Sequence, residues 1–111
     1  DSELIFILLV QTIENEKKIR KSIKNTIRIV KENCDACMLN FLIAVFDKNG
    51  KNSLYATKFS TGLKEPSLFY TKHKKEYTII SSEKLNNDKW YSVKNSSLIK
   101  AFENKVEIEK I

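Results

Sequence analysis

Apolar side chains fill almost every position from Leu4 to Ile13, which is long enough for three turns of helix. Asp1 or Ser2 stands where a helix N-cap is expected, and Glu3 lies in the first turn, where a negative charge is favourable. The length and the cap predict a helix that is buried on most sides. Periodicity alone would also allow a strand here.

A second helix is predicted after the polar joint at residues 14 to 16. Its apolar residues recur at steps of three and four and form one stripe: Ile19, Ile23, Ile27, Val30 and Cys34. Basic residues form a stripe on an adjoining face: Lys17, Arg20, Lys21, Lys24, Arg28 and Lys31. We expect the helix to end between Asn33 and Asp35, and the basic stripe to be a solvated face.

From Met38 onward the alternation of side chains is typical of strands. Residues 38–47 and 53–59 form a predicted hairpin around Asn49-Gly50, a pair that favours a type I′ turn. Further strands are predicted at residues 67–71, 77–81, 90–93, 97–102 and 106–111, with a charged tip at 72–76 and a turn at 103–104. Two helices followed by antiparallel strands predict the α+β class.

The size and the apolar content of the chain suit one domain or part of one. The chain has 111 residues, of which 41% are apolar, and no run approaches the ~20 apolar residues of a membrane helix. The sequence begins with Asp1 rather than Met and shows no secretory leader, so we expect either that its start was removed or that it begins inside a longer product. Two cysteines do not make a disulfide framework, which favours the cytoplasm.

The positive charge comes almost entirely from lysine. The formal net charge is +6, with eighteen lysines and two arginines among the basic residues. Arginine is the residue preferred for bidentate phosphate and base contacts, so nucleic acid is an unlikely partner. We expect no membrane association and no cofactor.

Three short motifs occur in a particular order along the chain. Asp1-Ser2-Glu3 opens the first helix, residues 39–44 and 54–58 read LNFLIA and LYATK, and residues 79–85 read IISSEKL before WYSV at 90–93. This order resembles the second half of class II glutamine amidotransferases, which belong to the N-terminal nucleophile hydrolases. The resemblance covers nearly the whole chain, although Lys58 replaces the arginine common at that strand end.

The resemblance implies an αββα sandwich and hydrolysis of L-glutamine to glutamate and ammonia. An N-terminal cysteine thiolate would attack the amide, its α-amine would act as the base, and an Asn-Gly pair would form the oxyanion hole. These groups and the arginine that holds the substrate carboxylate should lie upstream of Asp1. The chain would then be a truncated domain at residues 1–111, without catalytic residues of its own, which needs an N-terminal segment as partner and is a possible homo-oligomer.

The resemblance assigns one substrate-binding residue to this chain, Asp1, as the partner of the substrate α-ammonium. An ionised carboxylate suits that group, because a charge-assisted hydrogen bond is about twice as strong as a neutral one. From the residues alone, capping of the first helix is the more common use of Asp at this position. Within the resemblance we favour ammonium binding, with capping left to Ser2.

Other candidate residues have simpler interpretations. Asn49-Gly50 suits a hairpin turn better than an oxyanion hole. Cys34 and Cys37 close a helix, whereas a redox pair normally opens one, and His73 is the single histidine available to a zinc site. We therefore interpret both cysteines as packing residues, with a disulfide as the lesser alternative and no metal site.

The strand end at Ser82 and Glu83 is predicted to hold its loop by local hydrogen bonds. Trp90, Tyr91 and Phe102 are interpreted as core aromatics.

Three other functions stay open from the sequence. The first is a γ-glutamyl amide hydrolase of the same superfamily, whose substrate would be selected by loop 61–66 and the upstream segment. The second is a non-catalytic basic module that binds nucleic acid or protein. The third is a degenerate amidotransferase whose upstream half also lacks the cysteine.

Overall fold

The computed structural model describes residues 2–16, 18–46, 48–62, 64–74 and 76–111. These residues form two helices and seven strands, which confirms the α+β class. The elements are α1 (Ser2–Glu16), α2 (Ile19–Asn33), β1 (Leu42–Phe46), β2 (Asn52–Lys58), β3 (Phe69–His73), β4 (Tyr77–Ser81), β5 (Tyr91–Ser92), β6 (Ser97–Phe102) and β7 (Lys105–Lys110). The chain divides into a helical unit that ends at Cys37 and a β unit from Met38 to Ile111.

The second helix buries the predicted stripe up to its last turn. Ile23, Ile27 and Val30 are buried, and Ile19 is half-buried. Cys34 is exposed and has an extended backbone, since the helix ends at Asn33 and the helical period no longer places the next side chain on the stripe. Its assignment to the stripe and to packing is therefore wrong.

The basic stripe of α2 is solvent-exposed along most of its length, as predicted. Lys21, Lys24, Arg28 and Lys31 are exposed and Arg20 is half-buried, while Lys17 lies outside the described residues.

The first helix is confirmed as a helix, but the prediction that it is buried on most sides is wrong. Its buried side carries Leu9, which is 3% exposed. Four large apolar residues remain exposed on its other side: Leu4, Phe6, Ile7 and Val10. The two helices contact each other. Neither is long and apolar enough to cross a membrane, as far as the described residues show.

The larger sheet has the strand order β1-β2-β6-β7, and all its pairs are antiparallel. Its register brings Leu42, Ala56, Ile99 and Ile108 into one row across the four strands. Directly opposite residues share a face, so this row marks the apolar face of the sheet. The pairing of β2 with β6 joins segments that the sequence separates by about forty residues.

The type I′ turn of this sheet is not at Asn49-Gly50, where the sequence indicated it, and its backbone requirement is met at the other hairpin. Asn49-Gly50 belongs to a five-residue loop between the paired Phe46 and Asn52; Gly50 has a φ of +77° but Asn49 is not in the positive-φ region. A type I′ turn needs two central residues with positive φ. Glu103 and Asn104 meet that requirement with φ of 46° and 61°, between the paired Phe102 and Lys105. The hairpin was predicted correctly, whereas its turn type was not.

The smaller sheet has the order β4-β3-β5 and packs on the apolar face of the larger one. The buried cluster joins Ala56 and Ile99 of the larger sheet to Leu68 and Val93, which flank strands of the smaller sheet. Half-buried apolar residues pack around this cluster: Tyr70, Ile80 and Val106. The core of the β unit therefore lies between its two sheets.

The outer strands of the larger sheet leave large apolar side chains in solvent. Leu42 and Phe46 on β1 are 55% and 78% exposed, and Ile108 on β7 is 47% exposed. Apolar side chains on edge strands are a type of surface that other segments of a protein usually cover.

Ile99→Ala should strongly destabilise the β unit, because Ile99 is fully buried in the inter-sheet cluster. Loss of its side chain removes buried area and leaves a cavity, which typically costs about 2–5 kcal/mol in the free energy of unfolding. The matched control is Ile108→Ala, since Ile108 pairs with Ile99 but is half-exposed. Urea unfolding followed by circular dichroism measures both. Equal losses for the two variants would contradict the assigned core.

Candidate functional site

Asp1, the predicted ammonium-binding residue, lies outside the described residues. The helix α1 begins at Ser2, directly after it, and Glu3 lies in the first turn. An acidic residue just before a helix is favoured by the partial positive charge of the helix N-terminus. The assigned role of Asp1 stays a prediction.

A polar network surrounds Lys58, which ends β2 and belongs to the motif at residues 54–58. The Lys58 side chain is 6% exposed, and its Nζ lies 2.9 Å from Glu65 Oε1. The same Nζ donates a hydrogen bond of 2.8 Å to the carbonyl oxygen of Val93. A buried ammonium needs such partners, because its transfer out of water without them is very costly. Lys58 therefore ties β2 to the loop 61–66 and to the end of β5.

A second set of bonds fixes the start of the same loop. The backbone N–H of Ser60 donates to Asn95 Oδ1, and Asn95 Nδ2 donates to the Ser60 carbonyl, both at 2.9 Å. The Ser60 hydroxyl donates to the Lys64 carbonyl at 2.6 Å. Loop 61–66, of which Leu63 lies outside the described residues, is thus held at Ser60, just before its start, and at Lys64 and Glu65. Anchored loops of this kind can keep a ligand contact in place.

The strand end at Ser82 and Glu83 forms the local hydrogen bonds predicted for it. The Glu83 N–H donates to Ser81 Oγ at 3.2 Å, and Ser67 Oγ donates to the Ser82 carbonyl at 2.8 Å. Ser81 and Ser82 border a cavity of about 280 Å³, whose lining residues are Asn40, Phe41, Leu42, Leu68, Ile80, Ser81 and Ser82. Small-molecule sites usually start near ~300 Å³, so an amino acid is about the largest ligand it suits.

The charged tip of the β3–β4 hairpin contains an aromatic contact that the sequence did not predict. His73 stacks on Tyr77 with ring centroids 4.8 Å apart, and its Nδ1 lies 3.6 Å from Asp88 Oδ2. Lys72 and Lys74 are exposed, as predicted for a solvated tip, and Lys75 lies outside the described residues. Nothing in this group indicates chemistry beyond local packing.

The aromatics near β5 depart in part from their predicted core role. Trp90 is half-buried, and its Nε1–H donates to Asn86 Oδ1 at 3.0 Å. Tyr91 is 42% exposed and stacks on Tyr70, with centroids 5.2 Å apart. β5 is a two-residue strand at the edge of the smaller sheet and pairs with β3 on one side, so Tyr91 remains partly exposed. The core assignment of Tyr91 is wrong, and that of Phe102 holds in part, since Phe102 is half-buried.

The two cysteines lie just after α2. Cys34 is exposed, Cys37 is half-buried, and no disulfide joins them in the structure. Within the described part of the chain, no group of three or more His, Cys, Asp or Glu residues is placed to hold a metal ion.

The motif at residues 54–58 and loop 61–66 were evident from the sequence, whereas the roles of Glu65 and Asn95 were not. Glu65 contacts Lys58, and Asn95 contacts Ser60 across 35 positions of sequence. The single sequence signal was Lys58 itself, since a lysine at the end of a strand that is predicted to pack in the domain needs a charged or polar partner.

Comparison with known proteins gives a fold relationship. No protein-family model and no curated protein matches the sequence. A similar solved structure is that of the glutamine aminotransferase class-II domain protein from Silicibacter pomeroyi, with a TM-score of 0.66 and 18% sequence identity. The match covers 99% of this chain and 51% of that protein, so the chain spans about half of its length. At this identity the likeness shows a shared fold.

Lys58→Met should destabilise the β unit, because it keeps the apolar stem but removes the ammonium from the Val93 carbonyl and from Glu65. An unsatisfied buried carbonyl typically costs about 1–3 kcal/mol. The half-exposed Glu65 adds little to this loss, since solvent screens it. Lys64→Met in the same loop is the control, since Lys64 is exposed. The free energy of unfolding is measured by urea titration. Equal values for the two variants would show that the network does not stabilise the β unit.

Proposed function

We propose that this chain is the C-terminal part of a class II glutamine amidotransferase domain with an N-terminal-nucleophile αββα fold. The observation that carries the proposal is the fold match over 99% of the chain to a protein described as a glutamine aminotransferase class-II domain protein. The order of the three motifs supports it independently of the fold. The opening Asp1-Ser2-Glu3, the strand pair around LYATK and the Ser-Glu strand end all occur in the family's order.

The proposed reaction converts L-glutamine and water to glutamate and ammonia. A thiolate attacks the carbon of the side-chain amide. The C–N bond then breaks as a proton is transferred to the nitrogen, so that ammonia is released and a thioester is formed. Water then cleaves the thioester, which returns the thiol and yields glutamate. On this proposal the nucleophile, the oxyanion donors and the carboxylate-binding arginine belong to a segment N-terminal to Asp1, which leaves substrate binding and support of the site to this chain.

The surface of the chain is compatible with such a second segment. One side of α1 exposes four apolar residues, and the edge strands β1 and β7 expose three more, including Phe46 at 78%. Apolar patches and unpaired edges of this kind are usually covered in a complete domain. The other half of the matched protein's length supplies a suitable amount of chain to cover them.

Loop 61–66 is proposed to contribute to the choice between free glutamine and a larger γ-glutamyl amide. Its attachment to Lys58 and Ser60 holds it at a strand end, where a bulkier substrate would meet a fixed backbone. A γ-glutamyl amide hydrolase remains the alternative within the same mechanism.

The chain alone should release no ammonia from L-glutamine, because the proposal assigns the nucleophile to another segment. The measurement is a glutamate dehydrogenase-coupled ammonia assay on the purified 111 residues, beside a longer protein that includes the upstream segment. Cys34→Ala and Cys37→Ala serve as controls for adventitious thiol chemistry. Ammonia release by the chain that either substitution abolishes would contradict the assigned mechanism. A longer protein that is inactive despite an upstream cysteine would favour a non-catalytic module.

Asp1→Asn in the longer protein should reduce glutamine turnover while leaving the fold intact. The change keeps side-chain size and N-cap ability but removes the charge that would pair with the substrate ammonium. Loss of one partner of a desolvated charge pair typically costs about 2–5 kcal/mol, which corresponds to a loss of about thirtyfold to a few thousandfold in kcat/KM, and we expect about a hundredfold or more. The loss should appear mainly in KM, because the ammonium is remote from the amide that is cleaved.

Glu3→Gln is the control for this experiment, since it removes a carboxylate from the same helix turn without touching the assigned position. Substrates with an acylated α-amine should show a smaller effect of Asp1→Asn, since they lack the positive charge. Unchanged kinetics together with a lower melting temperature would show that Asp1 is a helix cap and not a substrate ligand.

A further inference from the structure

A cavity at one end of the larger sheet lies outside every motif of the proposed function. Because β2 runs antiparallel to β1 and to β6, the loop after β1 and the turn after β6 reach the same end of the sheet. The cavity between them has a volume of about 610 Å³. Its lining residues all belong to the β unit: Val45, Phe46, Lys48, Lys51, Asn52, Ser53, Lys100, Phe102 and Glu103.

The cavity has a positive lining. Lys48, Lys51 and Lys100 border it, and Glu103 is the acidic residue among the lining side chains. Neither Lys48 nor Lys51 has an ion pair or a hydrogen bond with another residue that the structure describes. Segments 46–52 and 100–105 together contain four lysines and two acidic residues, which leaves a formal charge of +2 even when Asp47, outside the described residues, is counted. Clustered ammonium groups of this kind favour an anion.

Aromatic rings adjoin the lysines. The Lys100 Nζ lies 4.5 Å from the centroid of the Phe102 ring and 5.7 Å from that of Tyr55, which holds the ammonium in place by cation–π attraction. The hydroxyl of Ser53 and the amide of Asn52 add polar groups between the charged and the aromatic parts.

We propose that this cavity is a binding site for a small ligand that combines a phosphate with a planar ring, of the nucleoside monophosphate class. The lysines would bind the phosphate as point charges, and Phe102, which lies on the same face of β6 as Lys100, would contact the ring. A volume of about 610 Å³ lies within the ~300–1,000 Å³ range of small-molecule sites. The site does not depend on the proposed amide chemistry, because none of its residues belongs to the motifs that support that function.

The test is isothermal titration calorimetry of the 111-residue chain with three probes at low salt: AMP, inorganic phosphate and adenosine. We expect saturable binding of AMP with a Kd below about 1 mM, and weaker binding of the two fragments. The double variant K48Q/K51Q should weaken AMP binding by roughly tenfold, because each exposed charge contact contributes a few-fold. Phe102→Leu should weaken AMP binding more than phosphate binding, because it removes the ring contact.

The matched control is Lys72→Gln, which removes an exposed lysine from β3 of the smaller sheet and should leave AMP binding unchanged. Circular dichroism of each variant verifies that it is folded. Absence of binding by all three probes would overturn the proposal, and so would AMP binding that K48Q/K51Q does not weaken. Binding of a single-stranded oligonucleotide at this site that AMP fails to displace would overturn it in favour of a polymer-binding surface.

Discussion

The apolar core between the two sheets is the constraint on which the rest of the β unit depends. Ala56 and Ile99 can be buried only if β2 and β6 pair in the register that puts both on one face, and Leu68 and Val93 complete the cluster from the smaller sheet. A shift of one residue would move each of these side chains to the opposite face of its sheet. The register of the larger sheet and the docking of the smaller one are therefore set by the same buried area.

That docking creates the polar network at the edge of the core. Once the sheets are packed, the end of β2 lies beside the carbonyl of Val93, where a buried lysine finds both a hydrogen-bond acceptor and the carboxylate of Glu65. Ser60 and Asn95 continue the contact through three hydrogen bonds at loop 61–66. The loop is thus an extension of the core, which gives it the fixed position that a substrate-selecting element needs. An apolar side chain in place of Lys58 would fill the space but leave the Val93 carbonyl without this donor.

Apolar side chains also remain exposed, on α1 and on the edge strand β1. A helix that is apolar on most sides is usually buried on most sides. In α1, however, Phe6 and Leu4 are more than half exposed. The edge strand β1 repeats this with Leu42 and Phe46. On the function proposed above, a further segment of the domain would cover both surfaces.

The sequence by itself determined the kind and order of the elements. The stripe of α2, the strand β6 and the turn at Glu103-Asn104 follow from side-chain periods and turn residues within a few positions, which local backbone preference can specify. The tertiary structure decided what depends on distant partners: the pairing of β2 with β6, the exposure of α1 and the bond from Lys58 to Val93, 35 positions away. A local pattern shows that a side chain is suited to burial or to a charged partner. Which surface or carboxylate meets it is set by the packing of segments far apart in the chain, so the sequence could suggest Lys58 but not its network.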